Sequence, residues 1–174
     1  MAKVLSKKFF ARPALKVAKD LVGNYLVQRS KEGIRRYKIT EVEAYTGPHD
    51  LACHGARGLT ARTKALFGEP GHFYVYFVYG MYHMLNIVTE KNGYPAAVLI
   101  RGVEGISGPG RVTKKLSIDK RFNAKRARPV AGLWFEYNGS QIFKISRMPR
   151  IGVQYAGPVW SAKPYRFLLN SPAH

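Results

Sequence analysis

Helical spacing and strand alternation divide the chain into a short series of elements. Between Ala14 and Val27, Leu15, Val17, Ala18, Leu21 and Val22 recur at helical spacing, with Lys16, Lys19 and Asp20 on the other side. Gly23 supplies the stop for this helix, and Tyr25 to Arg29 begins a strand. After a polar turn at Lys31 to Gly33, the stretch Arg36 to Tyr45 alternates with period two. It predicts a strand with Tyr37, Ile39, Glu41, Glu43 and Tyr45 on one face. Gly47-Pro48 breaks it. Asp50 to Lys64 and Ala65 to Gly71 are polar and turn-rich, predicting loop with short helical turns.

Tyr74 to Ile87 is two aromatic, β-prone runs joined at Gly80, which predicts a hairpin with Tyr79 and Met81 at its tip. Ala96 to Gly102 reads as a buried strand with one charge, Arg101, near its end. Gly105 to Arg111 reads as a loop, with a helix beginning in Val112 to Leu116. Lys114 to Arg128 is strongly basic, which suits a surface or DNA-facing stretch. Leu133 to Tyr137 and Gln141 to Ser146 flank Asn138-Gly139, a pair that predicts a second hairpin. No repeat, low-complexity tract or linker interrupts the pattern, so one mixed α/β domain over residues 1–174 accounts for it.

Charge changes the picture. Lys and Arg number 29 against 10 Asp and Glu, a formal charge of +19 on 174 residues. Such an excess favours a polyanionic partner. Nucleic acid ranks first, ahead of an anionic membrane or a structural role on ribosomal RNA. Cys53 is the only cysteine, so neither an intramolecular disulfide nor a cysteine zinc site can form. This usage suits a reducing intracellular compartment. The basic N-terminus lacks the long apolar core of a signal peptide, and no apolar run reaches membrane-spanning length.

Few residues offer chemistry. Glu41 and Glu43 share a strand face with aromatics, where a carboxylate either holds its proton more tightly or needs a partner. One of them could serve as a general base, or both could be salt bridges to the abundant cations. Arg101 could hold such a carboxylate or a phosphate, or its head could reach solvent at the strand end. His54, beside Cys53, reads as a surface histidine or as one side of a flat ligand's site. Tyr45, Tyr76, Tyr79 and Tyr82 are either core or surfaces for stacked bases, and a bulky residue at a hairpin tip suits a wedge between base steps. There is no phosphate loop, no Gly-x-Ser-x-Gly and no His-Glu-x-x-His, and the His residues lack metal-ligand spacing. No metal or cofactor is expected.

Several stretches together resemble the alkyladenine (3-methyladenine) DNA glycosylases of the mammalian type. They are Glu41-Val-Glu-Ala-Tyr-Thr-Gly-Pro-His-Asp50, Cys53-His54, and Pro70-Gly-His-Phe-Tyr-Val-Tyr-Phe-Val-Tyr-Gly-Met-Tyr82 through Asn86-Ile87. Ala97-Val-Leu-Ile-Arg101, Ser107-Gly-Pro-Gly-Arg111, Arg150-Ile-Gly-Val and Lys163-Pro-Tyr-Arg-Phe167 complete the set, in family order across nearly the whole chain. The resemblance implies an α+β fold with a mostly antiparallel curved sheet, surrounding helices and a protruding hairpin. It also implies a monofunctional glycosylase of base excision repair, acting on double-stranded DNA that contains damaged purines, and a glycosylase of this size can work as a monomer.

By the same resemblance Glu43 is the base that activates water, and Arg101 helps hold that water. Tyr45, His54 and Tyr76 sandwich the flipped base, and Asn86 obstructs the amino group of a normal guanine. Tyr79 fills the space the nucleotide vacates. Phe77 and Ile87 are left as plain core. Localisation would be the cytoplasm or nucleoid of a prokaryote, or the nucleus of a eukaryote. Two departures stand out. Only Gly102 to Ile106 separates the Arg101 strand from the Ser-Gly-Pro motif, where the family commonly has a longer segment, and Gly102 and Gly105 replace its usual Ala and Pro. Pro158-Val159 adds a residue to the tail. The first bears on DNA affinity or substrate range more than on the chemistry. The rival readings are a non-enzymatic minor-groove DNA-binding or RNA-binding protein, which gives Glu43 no task, and a nuclease, which would need clustered carboxylates for metal.

Overall fold

A computed structural model describes residues 3–139 and 143–170. Two short helices open the chain, α1 (Lys7–Phe10) and α2 (Ala14–Leu21). α2 buries Ala14, Val17, Ala18 and Leu21, the stripe its spacing predicts. The helix stops before Gly23, whose φ of +88° suits glycine. Strand β1 (Tyr25–Ser30) follows at once, so the helical character read toward Val27 ends at Leu21.

The long strand β2 (Gly33–Tyr45) is the spine of the sheet. β3 (Phe73–Val78) and β4 (Tyr82–Thr89) form the aromatic hairpin, and β5 (Ala96–Val103) is the buried strand. β6 (Ile106–Ser107) folds back on β5 through the two-residue turn Glu104-Gly105. Helix α3 (Pro109–Lys115) begins three residues earlier than the sequence suggests. Pro109 sits in its first turn, where a missing N–H costs nothing. Strands β7 (Leu133–Glu136), β8 (Ile145–Met148) and β9 (Arg166–Leu169) complete the sheet. Its order is β3-β4-β5-β2-β1-β7, with β9 also on β2 and β8 on β9, and every pairing is antiparallel. No helix among the described residues is long and apolar enough to cross a membrane.

Three expectations need correction. The hairpin predicted around Asn138-Gly139 does not form: β7 pairs with β1, and β8 pairs with β9. Asn138 instead ties down the α2–β1 junction. Its backbone N–H donates to Asn24 Oδ1 (2.9 Å) and its side-chain amide to the Gly23 carbonyl (2.7 Å). Gln141 and Ile142 of that prediction lie outside the described residues. Strict alternation along β2 also fails. The register shifts between Ile39 and Val42, around Glu41. This bulge sends Tyr37 and Ile39 into the same core as Val42 and Ala44, and leaves Glu41, Glu43 and Tyr45 on the other face. Finally, Phe77 is 49% exposed, whereas Ile87 is fully buried. Phe77 shares a face with Phe73 and Val75, but there the hairpin has run past the layer that covers them.

The sheet therefore has two dissimilar faces. One carries the main core, with Phe73, Leu85, Ile87, Val98 and Ile100 under α2 and α3. The other carries a small cluster of Cys53, Leu66, Tyr74, Val88 and Ala97, against which Tyr45 and Tyr76 pack. The segment after β2 covers this second face and is clipped to the C-terminal segment by a buried ion pair. Arg150 and Asp50 are bound in bidentate fashion (2.6 and 2.9 Å), and both side chains are fully buried. Arg150 also donates to the carbonyls of Ala44 (2.9 Å) and Trp160 (3.2 Å), and stacks on Tyr45 and Tyr165. Removing one partner strands the other charge without water. Asp50→Ala is expected to lose about 3–5 kcal/mol of unfolding free energy in urea titration.

Candidate active site

Cross-strand register builds the site. Glu43 lies opposite Leu99, Leu99 opposite Asn86, and Asn86 opposite Tyr74. Residues directly opposite share a face, so this row crosses four strands on the face away from the main core. Tyr45, Ala97 and Val88 form the next row. Glu43 and Asn86 thus stand two strands apart, roughly 10 Å between backbones.

Glu43 has no solvent-exposed surface. Its Oε1 accepts from the Tyr45 hydroxyl (2.9 Å), and its Oε2 from the Ile151 backbone N–H (2.7 Å). Arg101 Nη1 stands 3.7 Å from Oε1. Burial pushes the carboxyl's pKa above the ordinary glutamate value, and Arg101, the Ile151 N–H and the Tyr45 hydroxyl only partly offset it. Glu41 is placed differently. Its Oε1 accepts from Arg101 Nε and from Arg166 Nη1, each at 3.1 Å. The two glutamates therefore differ: Glu41 is hydrogen-bonded by two arginines, whereas Glu43 pairs with Arg101 only at 3.7 Å, without a hydrogen bond.

Beside Glu43 lies a cavity lined by Tyr45, His54, Tyr74, Tyr76, Asn86 and Tyr155, with Cys53, Leu66 and Ala97 behind them. The rings crowd one another. His54 and Tyr76 have centroids 4.5 Å apart, and Tyr74 and Tyr76 5.1 Å apart. The free volume is about 30 Å³. Its enclosed part has room for a water or two, and the remainder opens to solvent. His54 Nδ1 is 2.9 Å from the Tyr74 hydroxyl. Burial, and then the charges of Arg62 and Arg57, lower the His54 pKa to about 4. The imidazole is neutral at neutral pH. Asn86 is held by its amide, which donates to the Tyr74 carbonyl (3.1 Å).

The structure therefore brings Tyr45, His54, Tyr76 and Asn86 to one cavity, and Glu43 with Arg101 to an adjoining acid–arginine cluster. Tyr45 belongs to both, because its ring lines the cavity and its hydroxyl bonds Glu43. Tyr79 stands apart at the hairpin tip, 86% exposed. Its φ of 53° is left-handed, a conformation that costs a non-glycine residue about 1–2 kcal/mol. The turn closes with Met81 N–H donating to the Val78 carbonyl (3.1 Å). Just behind the tip Tyr82 packs on Gly110 of α3, where a Cβ would come within 2.6 Å of its ring.

Sequence reasoning missed the Asp50–Arg150 pair, the Ile151 N–H and Tyr155. Asp50 and Arg150 fall inside the motif stretches, but neither sits in a periodic pattern that signals burial. A backbone N–H carries no residue signal at all. Tyr155 lies in a Gly-containing tail, with its hydroxyl donating to the Ala52 carbonyl (2.7 Å).

The family model for methylpurine-DNA glycosylase matches residues 8–107 and 104–173. Its two pieces meet at 104–107, where the β5–β6 turn is tightest. Relatives carry the name "Putative 3-methyladenine DNA glycosylase". One from Methanocella arvoryzae is 44% identical over 190 residues, covering 97% of this chain and 94% of its own. One from Myxococcus xanthus is 43% identical, covering 98% and 92%. A third, from the Wolbachia of Culex pipiens, is 52% identical over 69% of this chain and 67% of its own. The first alignment runs over 190 positions against the 174 residues here, so that relative carries inserted residues. With a family match over nearly its whole length and near-full-length relatives above 40% identity, the chain belongs to the methylpurine-DNA glycosylase family.

Proposed function

We propose that this DNA glycosylase flips damaged purines, of the 3-methyladenine, 7-methylguanine, hypoxanthine and ethenoadenine class, out of duplex DNA and hydrolyses their N-glycosidic bond with a water activated by Glu43. Family membership makes the chain a hydrolase of N-glycosyl bonds in DNA. The lesion class and the residue roles are the reading proposed here.

The observation that carries it is Glu43: a carboxylate sealed from solvent, raised in pKa, and one tyrosine away from an aromatic cavity. A structural ion pair needs none of this: Glu41, in the same strand, is hydrogen-bonded directly by two arginines, and Glu43 by none. Oε1 has a second lone pair on the Arg101 side. The 3.7 Å gap there is too long for a direct hydrogen bond, and it places a guanidinium N–H where it can share a water. Glu43, ionised, takes a proton from that water as its oxygen bonds the anomeric carbon and the carbon–nitrogen bond to the base breaks, its electron pair leaving with the base. No lysine is assigned a role in the cavity, so no Schiff base forms and the strand is left uncut.

The nucleotide reaches the cavity by leaving the stack, which costs a few kcal/mol and least for a damaged or mispaired base. Tyr79, already exposed at the hairpin tip, occupies the vacated space. Phosphate contacts from the cation excess bind the duplex without reading its sequence. Tyr45, His54 and Tyr76 offer π faces that suit cationic alkylated rings. His54 supports this role by being neutral at working pH, so it does not repel such a ring.

Glu43→Gln is expected to slow base release by about 10²–10⁴-fold while leaving affinity for lesion-bearing duplex intact. Release at the wild-type rate would remove the mechanism and favour a non-enzymatic DNA binder. The pH profile provides a second check. The base works only when deprotonated, and burial lifts its pKa above the ordinary glutamate value of 4.5. Single-turnover rates should therefore rise with pH along a limb centred above 4.5, and that limb should be missing from residual Glu43→Gln activity. Tyr79→Ala removes an exposed ring that the fold does not use. Its unfolding free energy should stay within about 0.5 kcal/mol of wild type, while base release from duplex falls.

A further inference from the structure

The hairpin has a second face beside the one that lines the cavity. Along β3 and β4, Tyr74, Tyr76 and Asn86 point to the lesion cavity, while Phe73, Val75, Phe77, Leu85 and His83 point the opposite way. Most of that opposite face is core. Its outer end is not: Phe77 and His83 form a cross-strand pair with ring centroids 4.7 Å apart, and Phe77 is half exposed. They line an open depression floored by Val75 and bordered by Asp119, Lys120 and Arg121. Asp119 is tied to Arg121 (2.9 and 3.0 Å), so the border is cationic in balance.

We propose that this Phe77–His83 pair binds the undamaged strand of the duplex, stacking on the base left unpaired opposite the lesion, while Lys120 and Arg121 meet that strand's phosphates. The proposal rests on the reading that Tyr79 enters the duplex. A β-ribbon inserted there has one strand on each side. The lesion leaves toward the Tyr76 side, so the partner base is left to the Phe77 side, two residues behind the inserted tip. An aromatic pair next to that tip offers an orphaned base the stacking surface it has lost. The occupant is argued from this continuity with the lesion site and from the cations around the depression, which suit a polyanionic strand.

The test uses a duplex with a tetrahydrofuran abasic analogue opposite 2-aminopurine, and the same abasic strand alone. Wild-type protein should change the 2-aminopurine fluorescence on binding. The double variant Phe77→Ser/His83→Ser should leave that fluorescence as in free duplex and weaken duplex binding about tenfold, with single-strand affinity unchanged. Phe77→Trp should restore the signal. If the serine variant keeps both the fluorescence change and the duplex affinity, the platform is unused and the proposal is wrong, with the glycosylase reading intact. Equal losses on duplex and single strand would mean a general effect on DNA binding, which also overturns it. Failure of wild-type protein to bind the abasic duplex would sink the insertion reading itself.

Discussion

A carboxylate with no contact to solvent is the constraint around which the site is arranged. Left alone, Glu43 would take up a proton and lose the charge that its proposed role as a base requires. Its two oxygens are instead satisfied by a phenol O–H and a backbone N–H, with a guanidinium close by. Both donors depend on the same distant clip. Ile151 follows Arg150 in the chain, and the Arg150 guanidinium lies against the Tyr45 ring. The Asp50–Arg150 pair therefore positions the N–H that bonds Oε2 and backs the tyrosine that bonds Oε1. A buried ion pair is often no more stabilising than a well-packed apolar pair. Here its geometry supplies what an apolar pair could not, a fixed backbone donor aimed at a buried anion.

The bulge in β2 is the second requirement. Without it, Ile39 and Glu43 would share a face, and the strand could not give its first half to the core under α2 and its second half to the site. One unpaired residue moves Glu41, Glu43 and Tyr45 to the opposite face while Val42 and Ala44 stay in the core. The same step separates the two glutamates by role. Glu41, at the bulge, lies between Arg101 and Arg166, and Glu43 lies one pleat deeper.

What the sequence made legible follows from how local each signal is. The α2 stripe, the hairpin with Gly80, and the buried Arg101 strand each announce themselves within a dozen residues, and each is present. Alternation also placed Glu43 and Tyr45 on one face, but periodicity could not choose between Glu43 and Glu41. The bulge escaped because period-two reading has no term for an inserted residue. Asn138-Gly139 misled because a strong turn pair was read without its neighbours: the Asn spends its hydrogen bonds on Gly23 and Asn24. Phe77 misled because hydrophobicity marks a face and not how far a core extends along it. The Asp50–Arg150 clip joins residues a hundred positions apart, and no local pattern reports such a contact.

The crowding of the cavity's rings bears on the selection proposed for it. A base seated among these rings competes with contacts they already make: His54 against Tyr76, and the Tyr74 hydroxyl against His54. A base that stacks strongly, as a cationic or extended ring does, returns more than it displaces. A normal base gives a smaller return and also gives up its pairing partner on leaving the helix. Because Tyr45 both lines the cavity and bonds Glu43, a base seated against its ring also bears on the side-chain hydroxyl that donates to Oε1. In the proposed mechanism, discrimination and activation thus meet at a single ring, on the strand that carries Glu43.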